Sequence, residues 1–266
     1  MNTLQGVADT LFIPLEARIF ASKKFPEYFY DAKALSLEEH IPDNGIREKS
    51  SEYSLMASVA RYYNMDAMTT AFIAKHAKCN IVYLGAGLET AYYRLNKNDA
   101  FFYEIDVPDV IAARRSALGE NPHEVLIGSD LLDMTWTEAL DTSLPTLLIA
   151  SGVFQYLTEE KVGDFIADAR TLFEDAELIF DTTNETGIRY ANNYVQKTGN
   201  TQALMQFFIN DSAEFAKRMS VALIEERPFF TDARKILKRK LGLYTRIAMK
   251  VVDDKKRAIL VHLKLG

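Results

Sequence analysis

Two glycines and a later pair of carboxylates are the residues in this chain best placed to do chemistry. The stretch "NIVYLGAGLETAYYRL" (80–95) passes from an apolar, β-branched run into a helical one, with Gly85 and Gly87 at the junction. Glycines at such a turn let the backbone approach a ligand, and the helix start offers unpaired amide donors. Glu104 and Asp106, in "FFYEIDVPDV", follow Gly85 by 19 and 21 residues. A carboxylate at that distance, at the end of a second strand, can accept hydrogen bonds from ribose hydroxyls. Turn and acid together point to a nucleoside-containing cofactor.

The residues also say which cofactors do not fit. A pyrophosphate-binding G-x-G-x-x-G needs a third glycine where this chain has Thr90, which disfavours a dinucleotide. No G-x-x-x-x-G-K-[ST] occurs, which excludes a P-loop. An adenosyl cofactor without phosphates, S-adenosylmethionine, remains. "IGSDLLD" adds Ser129 and Asp130 past the third apolar run, where an acid and its neighbouring amides can hold the exocyclic amine of adenine. Asp133 reads as a helix cap.

These residues require elements that bring successive strand ends together. Short apolar runs at 80–84, 100–105, 124–128, 146–151 and 176–181 alternate with helical stretches, the pattern of a parallel sheet covered by helices on both faces. We read the chain as a single α/β domain in four parts. Residues 1–78 form an N-terminal helical cap, in which Ser50 and Ser51 are capping candidates for a helix of about seven turns. Residues 79–181 form the cofactor-binding core. Residues 182–220, polar and helical in pieces, form a lid insertion over the carboxyl ends of the strands. Residues 221–266 supply two closing strands, 221–226 and 257–265, around the basic stretch "ARKILKRK".

Composition narrows the partners. The 266 residues are 48% hydrophobic and carry a formal net charge of -6, which gives no electrostatic footprint for nucleic acid. No apolar run nears the roughly 18 residues of a membrane span, and "MNTLQGVADTLF" lacks the regions of a signal peptide. The expectation is a cytoplasmic protein with a small-molecule partner and neither nucleic acid nor membrane. Cys79 is the sole cysteine, so no internal disulfide or cysteine-based zinc site can form; no metal is expected. His40, His76, His123 and His262 read as structural or surface residues. The aromatic "FPEYFYD" (25–31) reads as core in preference to a substrate lining.

The segments "NIVYLGAGLETAYYRL", "YEIDVPDVIAARRSAL", "GSDLLDMTW", "LLIASGVFQYLTEEKV" and "ELIFD" together resemble the leucine carboxyl methyltransferase family, including its bacterial branch of polyketide-type O-methyltransferases. The likeness spans roughly residues 50 to 185. It implies a class I S-adenosylmethionine-dependent methyltransferase fold, Rossmann-like, with the helical cap and the lid as additions. Carried over by residue, Gly85 and Gly87 flank the methionine end of the cofactor and Asp106 holds the ribose. Asp130 with Leu131 lies at the adenine, and Arg61, in "SVARYYNMDAMTTAF", meets the cofactor carboxylate. The chain departs from the family pattern at two positions: Ser151 stands where the family carries a glutamate near the cofactor, and Ala91 where it carries an arginine after Thr90.

Acceptor contacts are expected from the lid, the cap and the turn after the fourth strand, which holds Phe154, Gln155 and Tyr156. Tyr156 is a candidate neighbour of the transferred methyl. Arg189 with Tyr190 is a candidate grip on an acceptor carboxylate, with lid packing as the plain alternative. The scarcity of histidines tilts the reading towards a carboxyl acceptor and leaves a hydroxyl one open. The function expected is O-methylation of a small, polyketide-like metabolite. A catalytically silent S-adenosylmethionine-binding protein, suggested by Ser151 and Ala91, is the second reading, and a nicotinamide-dependent reductase, disfavoured by Thr90, the third. The acceptor's identity and the oligomeric state stay open.

Overall fold

A computed structural model describes residues 11–41, 46–95, 100–197 and 204–266. The opening residues of the chain and residues 198–203 of the expected lid lie outside the described residues. Seven strands form one sheet: β1 (Cys79–Leu84), β2 (Ala100–Asp106), β3 (Glu124–Gly128), β4 (Thr146–Ala150), β5 (Ala176–Thr183), β6 (Ala222–Pro228) and β7 (Ala258–Lys264). Their order is β3-β2-β1-β4-β5-β7-β6. The first five are parallel, and β7 enters antiparallel between β5 and β6. The order reverses between β1 and β4, so the crevice outside their carboxyl ends is the place where an open sheet binds ligands.

The helices, in chain order, are α1 (Phe12–Lys24), α2 (Ala32–Ser36), α3 (Ile46–Lys49), α4 (Glu52–Ile73), α5 (Ala91–Leu95), α6 (Pro108–Leu118), α7 (Glu159–Leu172), α8 (Glu185–Lys197), α9 (Ser212–Arg218), α10 (Thr231–Ile236) and α11 (Leu243–Asp254). All six residues of β1 are buried, because both faces of the sheet are covered. Cys79, Ile81 and Tyr83 pack with α1, α4, α10 and α11 on one side. Val82 and Leu84 pack with α7 and α9 on the other. Of the two capping candidates, Ser51 begins α4: its hydroxyl accepts the Ser54 N–H at 3.1 Å. Phe25, Tyr28 and Phe29 are core. His262 is buried and meets Glu177 at 2.6 Å across the β5–β7 pair.

Three local expectations are corrected. The fifth strand runs to Thr183 because Thr182 and Thr183 pair with Ile259 and Ala258 of β7, so the irregular segment begins two residues later than expected. Asp133 caps nothing: the 3₁₀ turn at Thr135–Ala139 follows Met134 in the left-handed region, with no side-chain cap. The segment read as a lid also divides. Phe207, Ile209 and Phe215 are buried in the core beside Phe180, whereas α8 carries Arg189 and Tyr190 on its exposed side.

Candidate functional site

The turn after β1 is built for close approach. Gly85 and Gly87 have φ of +63° and +51°, a region that side chains strain to enter. A Cβ on Gly85 would lie 2.6 Å from Cγ2 of Val153, so the loops after β1 and β4 touch here. Asp106, at the end of β2, accepts the Gly87 N–H on Oδ2 and the Val107 N–H on Oδ1, both at 2.8 Å. Burial raises its carboxyl above the ordinary value, against the lowering pull of these two donors. A carboxylate oxygen accepts two hydrogen bonds, so Asp106 keeps acceptor capacity while it fixes the loop. The backbone N–H of Ser129 donates to the Asp106 carbonyl at 2.9 Å, which attaches the loop after β3 to the same point. In that loop Asp130 is exposed and accepts the Leu132 N–H at 2.9 Å. Leu131 packs against the core.

Glu104, weighed with Asp106 in the sequence, cannot meet a ligand. It is fully buried under the sheet, 3.0 Å from Nη2 of Arg114, which also lies 2.6 Å from Glu124. Burial pushes the Glu104 carboxyl well up. Through Nη1, Arg114 donates to the carbonyls of Glu89 at 2.6 Å and Gly87 at 3.3 Å. The pair thus supports the glycine turn from below.

A second buried network supports its far end. Arg18 donates to the Leu88 carbonyl at 2.6 Å and to Asp31 at 3.2 Å, and meets the Thr90 hydroxyl. Arg94 reaches Asp31 and Glu89 at 2.9 Å, and grips Asp66 through Nε and Nη2 at 2.7 and 2.9 Å. With Ala91 in place of an arginine, the end of the turn is held by Arg94, one turn further along α5, and by Arg18 of α1. Asp31 and Asp66 escape sequence reasoning. Asp31 leaves one local signal, as N-cap of α2; the reach of Arg18 leaves none.

The third part lies at the ends of β4 and β5. Asp181 accepts the Gly152 N–H at 2.5 Å and lies 3.2 Å from Nη1 of Arg61. Burial opposes the Arg61 charge, and Asp181 more than restores it, so the guanidinium stays cationic. Gly152, at φ +72°, has no room for a Cβ, which would meet Arg61 Nη1 at 2.7 Å. The Arg61 Nε and Ser151 Oγ are buried with no hydrogen-bond partner among the described residues. Cation, anion and two unsatisfied polar atoms beside a glycine-lined turn fit the zwitterionic end of an amino-acid-bearing nucleoside. Asp181, which sequence reasoning missed, joins Arg61 and Gly152 at this point.

Arg61, Gly85, Gly87, Asp106, Asp130, Leu131 and Ser151 therefore gather at the carboxyl ends of β1 to β5. Tyr156 stands exposed in the 3₁₀ turn after β4, whose Phe154 is buried. The Gln155 carbonyl accepts the Gln206 N–H at 2.7 Å, tying the irregular segment to this turn. Arg189 is not brought to the cluster: it pairs with Glu185 on its own helix, while the exposed Tyr190 ring lies 5.1 Å from the Arg257 guanidinium.

Comparison with known proteins agrees with this geometry. A curated relative, the tetracenomycin polyketide synthesis O-methyltransferase TcmP of Streptomyces glaucescens, is 24% identical over 88% of this chain and 89% of its own length. Among solved structures, a DUF574 family protein from Streptomyces avermitilis superposes with TM-score 0.58 at 13% identity, covering 94% of this chain and 96% of that one. Magnesium protoporphyrin IX methyltransferase from Synechocystis, with bound S-adenosylhomocysteine, gives TM-score 0.50 at 13% identity over 81% and 88%. The fold is that of the class I S-adenosylmethionine-dependent methyltransferases. The family model for leucine carboxyl methyltransferase matches residues 7–169, from the start of the cap through the glycine turn and the Asp106 and Asp130 loops into α7; the chain belongs to that family, whose cofactor is S-adenosylmethionine.

Proposed function

We propose that the protein is an S-adenosylmethionine-dependent O-methyltransferase acting on a carboxyl or hydroxyl group of a small, polyketide-like acceptor. The observation that carries this reading is the meeting of Asp106 with Gly87, and of Arg61 with Asp181 and Gly152, at the point where the strand order reverses. In this reading Asp106 receives the ribose hydroxyls, and Asp130 and Leu131 border the adenine. Arg61 takes the cofactor carboxylate through the Nε side that Asp181 leaves open. Asp181 takes the ammonium group, a role the chain cannot give to Ser151.

When bound, the cofactor supplies an electrophilic methyl carbon on a good leaving group. The chain's work is then alignment and exclusion of water, which can contribute on the order of 7 to 11 kcal/mol, against about 10²- to 10⁴-fold from a general base. His123 precedes β3 at the opposite end of the sheet and His262 is held by Glu177, so neither is at hand as a base. A carboxyl acceptor, ionised at neutral pH with a value near 4, needs none. Tyr156, exposed beside the β4 turn, is the proposed acceptor neighbour.

Incubation with methyl-labelled cofactor and a panel of aromatic acids and phenols tests the activity, with calorimetry using S-adenosylhomocysteine and NADH as the binding control. Labelled ester or ether is the expected product. Tight S-adenosylhomocysteine binding with no transfer across the panel would instead mark a silent binding protein, and preference for NADH would overturn the cofactor assignment.

A further inference from the structure

One face of the molecule takes no part in the site and does not match the charge of the chain. Between residues 233 and 252, "ARKILKRKLGLYTRIAMKVV", there are seven basic residues and no acidic one, in a chain of net charge -6. Three of the seven have acidic partners: Arg234 pairs with Asp253, Lys240 with Glu27 and Lys250 with Asp254. Lys235, Lys238, Arg239 and Arg246 make no ion pair among the described residues, and all four are exposed.

Large apolar side chains stand among them. Leu243 is 69% exposed, Tyr244 73% and Ile247 56%, with Ile236 and Val251 also exposed nearby. The helix α11 buries Thr245, Met249 and Val252 against the protein, so Leu243, Tyr244 and Ile247 face outward. They begin directly after Gly242, at the start of α11. No helix among the described residues is long and apolar enough to cross a membrane, but apolar side chains ringed by unpaired cations are what a peripheral contact with lipid uses. Nucleic acid would answer the cations and leave the projecting Leu243 and Ile247 without a partner. A folded protein partner would need a pocket shaped to them, whereas lipid headgroups accommodate exposed apolar side chains without one.

The patch sits at the end of the sheet where the site opens. The Gly242 N–H donates to Glu52 at 2.8 Å, and Glu52 begins α4, about 14 Å along the helix from Arg61. After α11 the chain enters β7, whose Ala258 pairs with Thr183 at the carboxyl end of β5.

We infer that this face docks the protein on an anionic lipid surface, with Leu243, Tyr244 and Ile247 entering the headgroup layer and Lys235, Lys238, Arg239 and Arg246 contacting lipid anions. The site beside Arg61 then opens close to the lipid, where an amphiphilic acceptor would concentrate. The contact is peripheral, so it departs from the expectation of no membrane partner, which rested on the lack of a spanning segment in the sequence.

Co-sedimentation of the full chain with vesicles is the test. The protein is expected to bind phosphatidylcholine–phosphatidylglycerol vesicles at low salt, to leave phosphatidylcholine vesicles unbound, and to be released by high salt. Removing two cations, Lys238→Ser with Arg239→Ser, should lower the partition coefficient roughly twenty-five-fold, at about fivefold per cation. Leu243→Ser with Tyr244→Ser should abolish binding. All four side chains are exposed, so an unchanged thermal midpoint and unchanged S-adenosylhomocysteine affinity would show that fold and site are intact. Absence of binding to anionic vesicles, or binding indifferent to either pair of substitutions, would overturn the proposal. So would a wild-type dimer that the Leu243→Ser and Tyr244→Ser pair dissociates while no vesicle binding is seen, because the patch would then be a self-association surface.

Discussion

The two halves of the sheet treat charge differently. In the β1–β4 half, arginines are buried and multiply paired: Arg114 with Glu104 and Glu124, and Arg18 and Arg94 with Asp31, Glu89 and Asp66. In the β5–β7 half, Asp253 is buried against the half-buried Arg234, but Arg189, Lys235, Arg246 and Lys250 of α8, α10 and α11 are exposed, and Lys235 and Arg246 have no ion-pair partner among the described residues. Buried ion pairs are expensive to desolvate and are weak sources of stability, but removing one partner is severely destabilising. They therefore fix geometry more than they stabilise. In the proposed function the β1–β4 half, with Asp181 of β5, is the cofactor half, whose loops are held in one conformation around a constant ligand. The rest of the β5–β7 half is then the acceptor half, whose exposed charges are left free to meet what the molecule acts on or rests against.

The comparison breaks most readily at Arg94. Arg94→Met leaves Asp66 without its arginine and Glu89 without its nearer one, with Arg18 remaining to Asp31, and should cost about 3–5 kcal/mol, lowering the thermal midpoint by about 10 °C. A shift no larger than that of a surface substitution would refute the rigid-half account. The network also gives a signed pH dependence. Burial pushes the Asp31 and Glu89 carboxyls up, but Arg18 and Arg94 pull both further down, leaving them below their ordinary values. A carboxyl with a folded value below its unfolded one adds stability that is present above the unfolded value, about 4, and is lost as pH falls through the folded value. Asp66, where burial outweighs Arg94, works in the opposite sense. Melts should hold steady from about pH 6 to 5 and fall below about pH 4, less steeply in the Arg94→Met protein.

A smaller effect is expected at Asp106. Asp106→Ala removes the proposed ribose acceptor and frees the Gly87 N–H, with a loss of about 1–3 kcal/mol in cofactor binding, roughly 5- to 150-fold in the calorimetric Kd for S-adenosylhomocysteine. An unchanged Kd in a folded variant would remove Asp106 from the site. Asp181→Asn keeps the Gly152 hydrogen bond and loses the charge. It should weaken S-adenosylhomocysteine by about tenfold and shrink the preference over an analogue lacking the amino group. A preference that survives would show that Asp181 only positions Arg61. The smallest effect is set for Arg189→Ala, which removes an exposed pair with Glu185 and should change stability by less than about 0.5 kcal/mol. A larger drop would mean that the acceptor half is tied down more tightly than its exposure suggests.

The same division separates what the sequence showed from what it hid. Strands β1, β4 and β5 were legible because burial on both faces makes them short unbroken apolar runs, and β2 and the edge strand β3 because they repeat the same spacing between helical stretches. The meeting of Gly85, Gly87 and Asp106 was legible because all three lie at strand ends along one crossover. Asp181 was hidden for a different reason: it reads as the polar end of a strand, and its importance comes from Gly152 and Arg61, 29 and 120 residues away. The contact of Arg18 with Leu88 and Thr90 was hidden likewise, since it comes from a helix some 70 residues earlier in the chain. Glu104 misled because it shares a strand face with Asp106 but lies two residues inside β2, buried against Arg114, whereas Asp106 ends the strand and reaches Gly87. The segment after Asp181 was read as one lid because its polarity obscured Phe207, Ile209 and Phe215, which side-chain packing, not periodicity, draws into the core.

Hydrogen exchange with and without S-adenosylhomocysteine tests the central claim most directly, because it reads both halves in one experiment. Ligand should slow exchange at the amides of 85–90, 106–108, 129–132 and 151–153, and leave 233–252 unchanged. Protection absent from those four loops, or centred on α10 and α11, would contradict the placement of the cofactor at the strand ends.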